Sequence, residues 1–580
     1  MADKVPKAAA SLHGPSLADR AHARLSVVGG GATGVVSSPE PLWTGSAHKA
    51  ERLANGLLLL GGAMVEARGE SPWDVPAPSP AWSDALHGFD WLDDAVAASP
   101  ELRRELMVWL HDWVARYGAG GGPGWRPDLT GRRLARWICH APVLLNGATS
   151  AQSRGFFRAI GRQTRFLRRR WRAAPRGLPR FHAAAGLIYA GLAVEGASGK
   201  VIREGVEALA RECGKAIAAD GGIASRNPQE LAEIFALLVW AARSLEENGL
   251  TPAQSHRDAI VRIAPALRAL RLGDGGLARF HGGGAGDPEK IDRALAASGL
   301  RAGERRFQTM GFHRITTNRS TLIFDGGRKG VGEESEGLHA SAFCFEASVG
   351  RRPMIVNCGP GAGFGDEWRM AARATAAHSG LTIDNVSSSL LVTNRRRRAP
   401  RLTGGARKLT CVREEDDSGV RLIAEHDGYL ASHGLIHQRR LHISPEGGDF
   451  RGEDAVTAEG AGPRAMFDQA SGRGDRMSVP FTIRFHLHPD IEADVFLAGS
   501  AVRLRPPSGD IWVMRQLGGD LTVEDSVYLD DRRVRPRATK QIVVRAEAKA
   551  YAGLVKWAFR RAEPEKPAPR DLGEEAELDA

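Results

Sequence analysis

The sequence predicts a chain in two unlike parts, an N-terminal (α/α) toroid followed by a C-terminal antiparallel β-sandwich. Three observations carry this. The length, 580 residues, exceeds what one hydrophobic core normally serves. From about residue 83 to 272 apolar residues recur at helical spacing. From about 305 to 560 they occur in short alternating runs broken by Gly, Pro, Asp and Asn, the pattern of strands and turns.

Residues 1–41 are rich in Ala, Gly and Ser without a period, so a disordered or loosely docked segment is expected. The toroid is read over 42–275. It opens with LWTGSAHKAERLANGLLLLGGAMVEARGESPW (42–73), read as a short β-meander, and a proline-rich connector at 76–82. ELRRELMVWLHDWVARYG (101–118) then places Leu106, Trp109, Leu110 and Trp113 at i, i+3, i+4 and i+7. Helical runs follow at 129–147, 151–172, 181–196, 200–218, 228–249 and 252–271, several ending on Gly. FHAAAGLIYAGLAVEG (181–196) is apolar nearly all round and reads as an inner helix. Its neighbours are wet on one side, which suits two concentric layers. Glycine rises sharply in GDGGLARFHGGGAGDPEK (273–290), and 276–310 reads as a linker. The sandwich is read over 311–560. Residues 561–580 form an acidic tail, expected to be disordered.

Composition narrows the function classes. Hydrophobic residues are 42% and charged residues 25% of the chain, as in ordinary globular proteins. The longest apolar run, LLLLGGAMV (57–65), is too short to span a membrane. The N-terminus shows no secretory apolar region, which by itself reads as cytoplasmic. The five cysteines follow no finger or ribbon spacing and read as reduced, mostly buried thiols. Net charge is +11, with arginine clusters at 165–180 and 394–402. Such patches attract polyanions, nucleic acid or acidic polysaccharide alike, or are simply solvated faces. No RNA- or DNA-binding motif accompanies them, so no specific nucleic-acid partner is expected. Nothing in the sequence fixes an oligomeric state.

The sandwich is unevenly rich in histidine. In GLHASAFCFEASVGRRPMIVNCGPG (337–361), His339 stands where the first strand of a hairpin is expected to begin. Three readings of it stay open: a packed and satisfied side chain, a metal ligand, or part of a catalytic site. His378 precedes another strand and Asn357 lies between the two, a set that could hold a structural divalent ion such as zinc or calcium. Of five tyrosines, Tyr429 in HDGYLASHG is the one beside histidines, with His433 and Arg439 following. It reads either as a base or proton donor or as a sheet tyrosine near a turn.

These stretches carry a resemblance. GLHASAFCFEASVGRRPMIVNCG, WRMAARATAAHSGLTIDN and DGYLASHGLIHQRRLHIS resemble the β-domain of heparinase II/III-like polysaccharide lyases. WLDDAVAASPELRRELMVWLHDWVARYG, DLTGRRLARWICHAP and ADGGIASRNPQEL are similar to that family's toroid. The resemblance covers about residues 42–560. It implies cleavage of an acidic, uronate-containing glycan by β-elimination in a cleft between toroid and sandwich. A base takes the proton α to the carboxylate, a donor protonates the leaving oxygen, and positioned amides or cations neutralise the carboxylate. Carried over residue by residue, His339 matches the family's site histidine, with Ser341 at its Asp position. Asn357 stands at the metal-ligand Asp, and His378 matches the histidine of a later motif. Glu230 stands where many members have a tyrosine base, and His182 is nearest to the uronate-binding Asn-His pair. The implied set is therefore His339, Tyr429 and Glu230 as catalytic groups, with Arg226, Asn227, His182, His433 and Arg439 on substrate. Family members are often periplasmic, which leaves the compartment open. The alternative is a noncatalytic polyanion-binding or exopolysaccharide-assembly protein that retains the fold.

Overall fold

The structure, a computed structural model, describes residues 14–562 apart from 30–31, 42, 44, 196–198, 304–305, 329, 331–335, 393–399, 473–476 and 531. Helices fill the first half and antiparallel strands the second. The helix Leu178–Ala193 is buried at every position from Ala183 onward, as its unbroken apolar run predicts. Small residues bring its neighbours close. A Cβ on Gly186 would lie 2.5 Å from the backbone of Gly131 in the helix Pro127–Cys139. One on Gly205 would lie 2.8 Å from Ile188. The helix Pro228–Glu247 is likewise buried from Ile234 to Ala242. Ser150–Arg170, in contrast, buries one stripe and turns its arginines outward, so inner and outer layers follow from apolar coverage.

Three expected segments differ. Leu17–Leu25, within the segment expected to be loose, is a helix opened by a Ser16–Asp19 capping box. Arg170 Nε ties it down by donating to Asp19 Oδ1 at 2.8 Å. The expected meander is a helix, Ala47–Ala54, followed by one hairpin of Leu57–Leu60 and Ala63–Glu66. Inside the expected linker, Asp287 caps the helix Pro288–Ala297, which buries Ile291, Ala294 and Leu295. Residues 1–13, most of the 394–402 cluster and 563–580 of the tail lie outside the described residues. Among the described residues no helix is long and apolar enough to cross a membrane.

In one layer of the sandwich, Gly419–Tyr429, Leu435–Ile443 and Asp449–Thr457 form successive hairpins, extended by Ala552–Arg561. In the other, Ser478–Leu487 pairs with Arg537–Lys549 and also meets Arg352–Val356 and Leu381–Ile383. Phe345, Phe481, Phe485 and Trp557 belong to the core between them. The strand Phe345–Val349 explains how the halves dock. Phe345 and Ala347 point into the sandwich core, while Glu346 and Ser348, on the opposite parity, take partners from the toroid end. Gly273 N–H donates to Ser348 Oγ, and Arg279 N–H and Nε both donate to Glu346. The toroid core itself runs on into Phe312, Ile323 and Cys344.

Candidate functional site

Where the halves meet, one buried carboxylate gathers groups from both. Asp325 ends the strand Ser320–Asp325. Its Oδ1 accepts from Arg226 Nη2 at 2.5 Å and its Oδ2 from Ser341 Oγ at 2.6 Å. Arg226 precedes the helix Pro228–Glu247 and holds φ at +52°, a conformation costing a non-glycine residue on the order of 1 kcal/mol. Its Nε also donates to Met310 O at 2.6 Å. Both Arg226 and Ser341 thus serve the junction, and Arg226 does not face the space expected for substrate.

His339 does not begin a strand. A turn at Ala342–Phe343, with Phe343 at φ +61°, delays the strand to Phe345 and leaves His339 buried in the loop before it. Its Nδ1 lies 3.2 Å from His378 Nε2, and His378 Nδ1 lies 2.8 Å from Ala374 O. A carbonyl only accepts, so His378 carries its proton on Nδ1 and takes one at Nε2 from His339. His339 Nε2 faces Gly282, where a Cβ would lie 3.6 Å away. His339 N–H donates to His281 Nδ1 at 3.1 Å, and His281 Nε2 lies 3.6 Å from Asp325 Oδ2.

The other expected residues have structural work. Tyr429 is fully buried in the sandwich core, and its hydroxyl donates to Leu381 O at 3.0 Å. Burial pushes that phenol far above its usual range, the opposite of what a base needs. Arg439 is a core ion pair, not a substrate ligand: Nε and Nη2 bond both oxygens of Asp454 at 2.6 and 2.9 Å. Burial alone would raise Asp454, but Arg439 and His437 hold it well below the usual carboxylate range. His433 sits beside Tyr429, its Nδ1 2.9 Å from Ser432 Oγ. Asn227 is the N-cap of Pro228–Glu247, accepting from Gln229 and Glu230 N–H at 2.9 and 3.2 Å. Glu230 accepts from Leu178 N–H at 3.1 Å and so caps the inner helix. Asn357 spends its amide on Ser379 N–H and Arg279 O, at 3.0 and 3.2 Å, which removes it as a metal ligand. His378 spends its nitrogens as above. Among the described residues no three His, Cys, Asp or Glu side chains are grouped to hold a metal ion.

His182 does line a cleft. A cavity of about 470 Å³ opens beside the inner helix, walled by Asp90, Asp93, Arg132, Arg136, His182 and Glu233, with Arg532 reaching in from the sandwich. Gln229 and Gly286 belong to its wall, and Gly284 N–H donates to Gln229 Oε1 at 2.7 Å. The loop 281–286 therefore separates the cleft from His339, which lies behind it. Burial, with Arg132 and Arg136 nearby, holds His182 neutral, well below the usual imidazole range. Water reaches Glu233, yet the crowding walls push its carboxyl up to about 7, against the pull of Arg132. Arg136 lies 3.1 Å from both Asp90 and Asp93, and His140 Nε2 lies 2.9 Å from Asp93. Arg132 pairs with Asp90. The arginines of 165–180 are elsewhere: Arg168 pairs with Glu204 and Arg170 with Asp19 on the outer layer.

Sequence reasoning passed over this cleft. Asp90, Asp93 and Asp94 stand in FDWLDDA, and Arg132 and Arg136 share one helix face four residues apart, a pairing across sequence that no local motif marks. Glu233 lies one turn beyond the Glu230 that drew attention.

A family model described as Heparinase II/III-like, C-terminal, matches residues 300–558. FtsZ-localized protein C of Caulobacter vibrioides (strain NA1000 / CB15N) is 31% identical over 526 residues, 89% of this chain and 88% of that protein. Among solved structures, heparinase III superposes with a TM-score of 0.68 at 12% identity, covering 94% of this chain and 89% of its own. Heparan sulfate lyase HepC from Pedobacter heparinus gives 0.56 at 15% identity, covering 94% and 88%. At such identities the solved structures establish the fold alone.

Proposed function

The chain belongs to the heparinase II/III-like family, and from that premise we propose that it binds a glycan in the toroid cleft without cleaving it by β-elimination. The observation that carries this is the placement of Glu230. By the resemblance it stands where many members have a tyrosine base, and its carboxylate accepts the Leu178 N–H at the start of the inner helix. Elimination needs a base at the α-carbon, a proton donor at the leaving oxygen and a neutralised uronate. Tyr429 and Arg439, two more of the groups expected for these tasks, are committed inside the sandwich core. The name of FtsZ-localized protein C places that relative with FtsZ. Carried to this chain, that name supports a role beside FtsZ for glycan recognition over one in glycan breakdown.

One observation favours the lyase reading. His339 Nδ1 and His378 Nε2 lie 3.2 Å apart and His378 is fixed in turn on Ala374 O, a paired-ring arrangement that general-base chemistry uses to orient an imidazole. The test is a panel of heparan, alginate and glucuronan incubated with the full chain and followed by ultraviolet absorbance of unsaturated uronate ends. No rise is expected with any of them. A steady rise that disappears in His339→Ala would establish the lyase instead.

A further inference from the structure

We propose that the toroid cleft is built for an uncharged oligosaccharide, neutral or N-acetylated, and discriminates against uronates; this rests on the glycan-binding reading above. The arginines in the cleft wall are already engaged. Arg132 pairs with Asp90, and Arg136 with Asp90 and Asp93. Arg532, entering from the sandwich, bonds Asp530 at 3.0 Å. Lys49 and Lys290 stand near Asp94 in the same wall, and Asp94 Oδ1 accepts Ser46 N–H at 2.8 Å. A uronate carboxylate is recognised best by an arginine fork. Here each fork would first have to leave a half-buried acid.

What faces the ligand is of the opposite kind. Glu233 projects from the helix Pro228–Glu247 into the cleft, and the Gln229 amide donates to its Oε1 at 3.4 Å. Among the described residues no cation is within ion-pairing distance of it. An entering carboxylate or sulfate would meet Glu233 together with Asp90, Asp94 and Asp287 in the same wall. Sugar hydroxyls, which both donate and accept, suit Glu233 and the neutral His182 equally. Ala185, Ala232, Ala236 and Ile291 supply small apolar surface for the C–H faces of a ring. The volume of about 470 Å³ lies within the range of small-ligand sites.

The test is calorimetric titration of the full chain with four oligomers of equal length: N-acetylglucosamine, glucose, galacturonate and heparan. An uncharged oligomer is expected to bind at least about tenfold more tightly than either acidic one, with little dependence on salt. Glu233→Ala should weaken that binding about tenfold, through the loss of its hydrogen bonds to sugar hydroxyls. Glu233→Arg should weaken it too and improve binding of the galacturonate oligomer. Circular dichroism and melting confirm that both variants fold. Tighter, salt-sensitive binding of an acidic oligomer without product would overturn this inference and leave the glycan-binding reading standing. Uncharged binding indifferent to both substitutions would remove the cleft from the role. No binding by any oligomer would overturn both, and unsaturated product would overturn the function proposed above.

Discussion

Arg439 and Asp454 sit side by side in the sandwich core, where an unpaired charge is costly and a paired one tolerable. Asp454 satisfies Arg439 through two bonds, and His437 Nε2 and Trp557 Nε1 complete its shell at 2.8 and 2.9 Å. Arg439→Ala leaves the carboxylate buried without its counter-charge, and urea unfolding should show a loss of ~3–5 kcal/mol. Tyr429 shows why such roles escape a sequence. Its strand turns Val420, Leu422, Ala424 and His426 inward on strict alternation, which would expose residue 429. A register shift between His426 and Tyr429 swings the ring back into the core. Side-chain type was legible there, depth was not. Glu233 carries a prediction in pH. Crowding by the cleft wall pushes its folded carboxyl up to about 7 from an ordinary 4.5, so between those values the folded chain holds more of that proton than the unfolded chain does. Stability from this group therefore declines as pH rises from about 4.5 to about 7. Glu233→Gln should lift the melting temperature near pH 8 and leave it unchanged below about pH 4.5. An equal shift at both would rule out titration as the cause.

Helices in this chain depend on how their ends are closed. Asn227 accepts the first free N–H groups of Pro228–Glu247, and Glu230, from the first turn of that helix, reaches across to the first N–H of Leu178–Ala193. One short segment thus caps both inner helices. Asn227→Ala and Glu230→Ala should each cost ~1 kcal/mol, read as lowered melting midpoints. A Glu230→Ala chain as stable as its parent would reopen that carboxylate for other work. Most long helices were legible because their apolar spacing is regular, as at Leu106, Trp109, Leu110 and Trp113. Pro288–Ala297 was hidden by the glycines before it, although Asp287 and Pro288 are a sound start signal. The strand expected at His339 failed for a different reason. The left-handed turn at Phe343 needs no glycine here, because stacking on Phe324 holds the ring in the core.

Across the whole molecule, toroid and sandwich are coupled by charge as well as by core. The division into two parts was legible from the change of period, but the junction was not, since its partners lie far apart in sequence. Arg226 meets Asp325 across 99 residues and Arg279 meets Glu346 across 67. Glu346 is wholly buried, and burial raises its carboxyl despite Arg279, which shows how much that acid relies on its cation. Arg279 is held in turn by the Tyr528 ring, 4.0 Å from the guanidinium carbon, and by the Asn357 carbonyl. With Phe312, Ile323 and Cys344 in the toroid's own core cluster, neither half can part without uncovering apolar surface. The parent chain should therefore melt in one calorimetric transition. Arg279→Ala leaves Glu346 without its counter-charge at the seam, a cost of ~3–5 kcal/mol that parting the halves relieves by admitting water. The melt of that variant should start lower and broaden into two steps. A single transition at the parent's midpoint would mean that the shared apolar core alone joins the halves and that the buried pair contributes nothing to the joint.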